Sequence, residues 1–243
     1  MRAKLCVLSA QLLVATALPA QRTAAPPESV HAVRWWEAAV AAAAVGLVSV
    51  ADLRVDHWVQ EQRSSHSDDL SRVFKWGGSP EVAFGVPAAI FATGLVTKSP
   101  KLQRAGGRVL GSVVLAGVTT GALKFVVGRY RPDEASSQYI FRPFSNHDAF
   151  PSGHATLAFG LATSLSEEIH RPWATALLYA GATGTAWSRL NDHKHWLSDA
   201  LAGAMIGVTS GKVMEGRWRV FGLGPPRFLV EPSGMGLEWR ATF

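Results

Sequence analysis

The sequence predicts an all-α protein built on six apolar helical segments. Three observations carry that reading. Apolar residues make up 48% of the 243 and gather in runs, while charged residues are only 17%, against about 25% in an ordinary soluble domain. No run alternates apolar and polar residues strictly, as a half-buried strand would. The runs are rich in Ala, Val, Leu and Gly, and small residues let helices pack closely, in membranes especially. The middle of the chain has no linker-like stretch, so one domain is expected.

The first segment, "MRAKLCVLSAQLLVATALPAQ", reads as an export signal over residues 1–20. Arg2 and Lys4 make a positive start, Leu5 to Leu18 an apolar core, and Ala15-Thr16-Ala17 or Leu18-Pro19-Ala20 a small-residue cleavage site. Its apolar run is short for a span of about 20 residues. Cys6, the single cysteine, lies inside it, so a mature chain would hold no disulfide. Residues 21–34 read as a flexible lead-in with two prolines.

The domain proper is expected over 35–213. Its six segments are 35–51, 82–97, 109–123, 155–166, 173–187 and 200–213. Each is shorter than a usual span, but Trp35, Trp36, Trp173, Trp187 and Trp196 flank them as interfacial anchors would. Membrane embedding is therefore expected, with a soluble helical bundle as the alternative. Residues 52–78 form the longest polar stretch between segments and suit an amphipathic helix lying over the core or on a membrane surface. His57 and His66 lie there and are given no role. The tail, 214–243, changes character. Phe228–Val230 and Leu237–Phe243 alternate weakly around Pro232-Ser233-Gly234, which predicts a short terminal β-hairpin.

The net charge of +6 is spread along the chain, without a basic block for nucleic acid. It suits an anionic substrate or an anionic membrane surface. The stretch 98–108, "KSPKLQRAGGR", reads as a cationic loop, and the positive-inside rule places it in the cytoplasm. Six spans would then put the opposite ends of the segments outside, but they would also put the chain start inside, against a cleaved signal. Three resolutions stay open: an uncleaved first segment, a 35–51 segment that does not span, or export of the whole chain as a periplasmic or outer-membrane-associated bundle. All three permit an outward-facing site.

Three polar clusters sit at segment ends. In "KFVVGRYRP", Lys124 and Arg131 are seven residues apart, which puts both cations on one helical face. Arg offers a fork of donors for phosphate oxygens and Lys a point charge. In "DAFPSGH", Ser152 and Gly153 precede His154 where an apolar segment starts. A helix beginning there aims free amides at an anion, and His154 can give it a proton. In "SRLNDHKHWLSD", His195 and Asp199 are four apart and share a helical face. A carboxylate on one imidazole nitrogen would leave the other free to attack, and Arg189 adds a third cation. Each cluster alone also reads as a snorkelling pair, an ordinary cap or a helix salt bridge. Together, without metal-ligand spacing, they fit phosphoryl transfer through a phosphohistidine.

Lys124 with Arg131-Pro132, then Pro151-Ser152-Gly153-His154, then Ser188-Arg189 with His195 and Asp199, resembles the three-part signature of the type 2 phosphatidic acid phosphatases. That superfamily also includes bacterial class A acid phosphatases and vanadium haloperoxidases. The resemblance covers residues 82–213 and is nearest the membrane branch. It implies a six-helix core bundle with the active site at one end, no cofactor and no metal. It implies His195 as nucleophile, Asp199 as its orienter and His154 as proton donor, with Lys124, Arg131, Ser152, Gly153 and Arg189 on the phosphate. Arg129, Asp148, Asp192, His193 and Lys194 fall outside the signature and are expected at the rim or surface. The implied substrate is a phosphorylated lipid or a polyprenyl diphosphate, met at a bilayer, with neither nucleic acid nor an obligate protein partner. The alternatives are a soluble periplasmic acid phosphatase of broad specificity and, disfavoured by the short chain, a vanadate-dependent haloperoxidase.

Overall fold

The computed structural model describes residues 6–12, 30–220, 222, 224–225, 227–231 and 234–241. It divides into two compact units, residues 39–211 and the pair of segments Met1–Ala38 and Lys212–Phe243.

Eight α-helices are present among the described residues: α1 Trp35–Ser49, α2 Asp52–Gln62, α3 Ser65–Lys75, α4 Pro80–Val96, α5 Pro100–Val127, α6 Gly153–Ile169, α7 Pro172–Asn191 and α8 Leu197–Met214. Each of the six predicted segments lies within or nearly coincides with one of them, as α1, α4, α5, α6, α7 and α8. The two further helices, α2 and α3, come from the polar stretch 52–78, which suited an amphipathic helix over the core or on a membrane surface.

The ends follow local chemistry. Ser79 and Ser99 precede Pro80 and Pro100, and their hydroxyls accept from the amides of Val82 and Leu102. Proline is suited to the first helical position, where its missing N–H costs nothing. This corrects the cationic loop expected over 98–108: from Pro100 onward it is the first turns of α5, because Ser-Pro starts a helix there. Ser64 starts α3 with a reciprocal capping box to Ser67.

The core is layered. Ala83, Val109, Val113 and Leu161 join α4, α5 and α6. Ala158, Ala162 and Ala182 join α6 and α7, and Val59, Leu190 and Ala200 join α2, α7 and α8. The α8 face against α6 is a glycine row. A Cβ on Gly203 would lie 2.6 Å from the Ser152 carbonyl oxygen, one on Gly207 2.7 Å from the Gly160 nitrogen, and one on Gly211 2.7 Å from Thr163 Cβ. Only hydrogen at these positions lets α8 come so close to α6.

By length and composition α5 is the one described helix able to cross a membrane alone. The pair α1 and α2, bent by 55°, and the pair of α3 with its following turn and α4, bent by 45°, qualify only as broken spans. Val114, Val118, Phe125 and Val126 stand exposed along α5.

The other unit carries strands β1 Cys6–Leu12, β2 His31–Val33, β3 Trp218–Val220, β4 Arg227–Glu231 and β5 Gly234–Ala241. The predicted terminal hairpin is present as β4 and β5, antiparallel with Arg227 opposite Glu238. It is not alone, since β1 pairs antiparallel on the other side of β5, Cys6 opposite Ala241 and Leu12 opposite Met235. β2 and β3 pair in parallel. Of the predicted export signal, residues 6–12 form β1, and the rest lies outside the described residues, as do residues 21–29 of the lead-in.

Candidate active site

The site forms at one end of the helical unit, where α5 ends, α6 begins and α7 gives way to α8. Gly128 ends α5 in the left-handed region, φ 57°, with its amide on the Lys124 carbonyl at 2.9 Å. Glycine adopts that conformation freely. A Cβ there would strike the Arg142 carbonyl, whose residue donates its amide to the Gly128 carbonyl at 2.7 Å. The turn sends consecutive cations in different directions. Arg129 goes inward and is 2% exposed, while Arg131 turns to Asp148.

Lys124, in the last turn of α5, lies beside Gly153: a Cβ there would be 3.9 Å from Lys124 Cε. Lys124 donates to the Asp148 carbonyl, and its Nζ lies 3.6 Å from Asp148 Oδ2. Arg131 donates Nε to Asp148 Oδ1 at 2.9 Å and brings Nη2 to 2.8 Å of the same oxygen. Against the cost of burial, the charges of Lys124 and Arg131 hold the Asp148 carboxyl below its usual range.

Ser152 takes the N-cap position of α6 with its backbone extended, and its amide donates to the Asp199 carbonyl at 3.0 Å. Its hydroxyl caps nothing. Ser152 Oγ and Arg189 Nε are buried polar atoms without a hydrogen-bond partner among the described residues. Buried polar atoms are normally paired, and both of these belong to the signature. Arg189, 8% exposed at the end of α7, keeps Nη1 on Asp192 Oδ2 at 3.0 Å. Asp192 is held in turn by the Ser71 hydroxyl of α3 at 2.5 Å.

The chain after α7 folds back, with the Lys194 and His195 amides both donating to the Arg189 carbonyl, at 3.0 and 3.3 Å. This buries His195 to 4% exposure. Its Nδ1 lies 2.7 Å from the Ala149 carbonyl. A carbonyl accepts, so Nδ1 carries the proton and Nε2 is left with its lone pair. Asp199 Oδ2 lies 3.7 Å from the same Nδ1, beyond a hydrogen bond. The direct carboxylate–imidazole bond expected from the four-residue spacing is therefore not made. His195 lies ahead of α8 rather than on it, so the helical offset does not apply. Asp199 instead accepts from the Trp196 amide at 2.9 Å and from Arg129 Nη1 at 2.6 Å.

Arg129 is the centre of that support. It also donates Nη2 to Asp52 Oδ2 at 2.8 Å, Nη1 to Ser198 Oγ at 2.8 Å, and Nε to the Gln138 carbonyl at 3.1 Å. Asp52, fully buried at the start of α2, accepts the Ser198 amide at 2.8 Å. The expectation that Arg129 lies at the rim is thus wrong. It is a buried ion pair with two carboxylates, and only tertiary packing brings Asp52 to it. His193 is also anchored, with Nε2 3.0 Å from Asp56 Oδ2 on α2. Lys194 does lie at the surface, paired with Asp133.

Electrostatics set the two histidines apart from ordinary ones. Burial, reinforced by Lys124, Arg189 and Arg131, holds His195 well below its usual value. Burial, then Arg189, His195 and Lys75, pushes His154 down to about 4. Burial and the surrounding cations thus favour the neutral form of both His195 and His154. Lys75 acts from the end of α3. The turn after it packs on the His154 backbone, where a Cβ on Gly78 would lie 2.8 Å from the His154 carbonyl carbon.

Lys124, Arg131, Ser152, Gly153, His154, Arg189, His195 and Asp199 are drawn to this one end, by direct contact, by shared partners or by mutual electrostatic influence. Asp52, Asp148 and Asp192 and the Ala149 carbonyl were not singled out by sequence, or were placed at the rim. An acid beside each cation cluster, at 148 and 192, was the available signal.

Comparison with known proteins agrees with the motif reading. Residues 105–217 match the family model of the PAP2 superfamily, so the resemblance is shown over that stretch. A lipid A 1-phosphatase of Porphyromonas gingivalis is 32% identical over 111 residues, 45% of this chain and 22% of that protein. A putative undecaprenyl-diphosphatase, YbjG of Escherichia coli K12, is 35% identical over 95 residues, 38% of this chain and 46% of that protein. This chain therefore spans less than half the length of either relative. The crystal structure of Aquifex aeolicus LpxE is similar in fold, with a TM-score of 0.52 and 23% identity, over 67% of this chain and 93% of that one.

Proposed function

We propose that the chain is a phosphatase that hydrolyses a phosphomonoester or diphosphate of a lipid, through a phosphohistidine on His195 and without a metal. The observation that carries this is the state of His195. It is buried, proton-bearing at Nδ1 through the Ala149 carbonyl, and set among three signature cations.

In the first step Nε2 of His195 attacks phosphorus, and the bond to the leaving oxygen breaks. His154 gives that oxygen its proton. Lys124, Arg131, Arg189, the Ser152 hydroxyl and the Gly153 amide hold the phosphoryl oxygens, where charge spreads in the transition state. The unpartnered Ser152 Oγ and Arg189 Nε supply donors for that task. In the second step water attacks phosphorus, His154 takes its proton, and the P–N bond breaks to give phosphate and neutral His195. Asp199 acts through the loop, holding Trp196 and hence His195.

The similarity to a lipid A 1-phosphatase and to a putative undecaprenyl-diphosphatase supports an amphiphilic substrate. The apolar length of α5 and the bent helix pairs support an envelope membrane location, and we place the site on the outer side. A soluble phosphatase of broad specificity is the competing reading. Phosphate release should be measured from a lipid monophosphate and a polyprenyl diphosphate in mixed micelles, with the envelope fractionated without detergent. His195→Ala should release no phosphate, and EDTA should leave wild-type release intact. Full activity in His195→Ala, or loss of it in EDTA, refutes the mechanism. A wholly soluble protein refutes the lipid substrate.

A further inference from the structure

We infer that the Asp148 carboxylate is a built-in competitor of the substrate phosphoryl group for Lys124 and Arg131, and that it sets how tightly the site holds phosphate. This rests on the phosphatase reading above.

Asp148 Oδ1 takes both Nε and Nη2 of Arg131, at 2.9 and 2.8 Å. That is the edge of the guanidinium fork which matches phosphate oxygens. Its Oδ2 lies 3.6 Å from Lys124 Nζ, and its own carbonyl accepts from the same ammonium. One residue therefore engages both signature cations near the end of α5, Lys124 and Arg131. A phosphoryl group must take these donors from a carboxylate before it can be held by them.

The side chain is suited to give way. Asp148 is 45% exposed, so water can receive its carboxylate when it swings out. Asp52 and Asp199, the structural acids of the site, are fully buried and have nowhere to go. Asp192 is the contrasting case for Arg189. It engages Nη1 and leaves Nε open, so that cation keeps a donor for the ligand throughout. When phosphate is the product, the returning Asp148 carboxylate competes it off. The site thus binds an anion strongly enough to react and weakly enough to empty.

Inorganic phosphate, as product inhibitor and as calorimetric ligand, tests this on the full chain in micelles. Asp148→Asn keeps the shape and removes the charge. It should tighten phosphate binding about 3- to 10-fold, lower KM for a lipid phosphate in step, and lower kcat as phosphate release slows. Asp148→Glu should restore wild-type inhibition. A damaged fold weakens binding, so a gain cannot come from damage. Unchanged or weaker phosphate binding in Asp148→Asn, with wild type binding normally, overturns the proposal. Absence of phosphate binding in wild type, with no phosphate release from a lipid phosphate, overturns the phosphatase reading and this proposal with it.

Discussion

Arg129 Nη1 and Asp199 Oδ1 meet at 2.6 Å in the interior, and this contact ties the end of α5 to the first turn of α8. Arg129 carries the tie on to Asp52 of α2 at 2.8 Å. The His195 loop is therefore held by a buried ion pair whose members come from α2, α8 and the turn that follows α5.

That network predicts a large cost for breaking it. Asp52→Ala leaves a buried guanidinium short of one carboxylate and the Ser198 amide without an acceptor. Removing one member of a buried pair costs about 3 kcal/mol or more, so thermal unfolding in micelles should shift down markedly. Asp52→Asn, which keeps acceptor and volume, should lose less. An Asp52→Ala protein as stable as wild type would contradict the arrangement.

His154 as proton donor predicts a dependence on the leaving group. His154→Gln should lower kcat about 10²- to 10⁴-fold for a lipid alkyl phosphate, the usual worth of general acid catalysis. An aryl phosphate, whose phenolate leaves without a proton, should lose far less. Equal losses on both substrates would remove His154 from that role.

The pH profile should reflect the cations around His154. In the free site its pKa is pushed down to about 4, so the protonated form, and with it kcat/KM, declines as pH rises above that value. Lys75 is one of the charges responsible and lies outside the phosphate-holding set. Lys75→Gln should move the falling limb to higher pH. A limb that stays in place, or moves down, would reject the assignment.

The same shifts predict a pH dependence of stability at His154. His154 and His195 are held below their ordinary value, so at these two groups the unfolded chain binds more protons than the folded one between pH about 4 and about 6.5, whereas Asp199, pushed up to about 6 by burial, acts the other way, as do Asp52 and Asp56. The share of stability that His154 contributes above pH 6.5 should be lost as pH falls through that window. The denaturant midpoint of wild type relative to His154→Gln should therefore rise with pH across the window. A difference that does not change with pH would contradict the buried neutral His154.

Close packing of α8 on α6 predicts sensitivity at Gly203. A Cβ there lies 2.6 Å from the Ser152 carbonyl, in the turn that we propose holds phosphate. Gly203→Ala should cost about 1–3 kcal/mol of stability, the usual range for overpacking, and raise KM as the turn shifts. Gly85→Ala, where a Cβ meets nothing within 4 Å, is the control and should do neither.

Sequence by itself determined the helical segments and the eight signature side chains. Apolar runs and Ser-Pro starts act locally, and the signature spacings place each side chain near a helix end before any packing is known. What it misjudged were relations across distance. The polar stretch 52–78 suited an amphipathic helix over the core or on a membrane surface, because its apolar residues recur at rough helical spacing, and Asp52 and Asp56 gave no sign of their distant partners. Folding supplies them, giving Asp52 to Arg129 and Ser198, and Asp56 to His193. Arg129 looked like a rim residue because its neighbours in sequence are polar, but the left-handed turn at Gly128 sends it inward. The spacing of His195 and Asp199 suggested a direct bond, but the helix starts after the histidine and the Ala149 carbonyl takes that place. Only tertiary structure decided which acid holds which cation. A charge is buried where partners from separate helices converge on it, and spacing along one strand of sequence cannot encode that convergence.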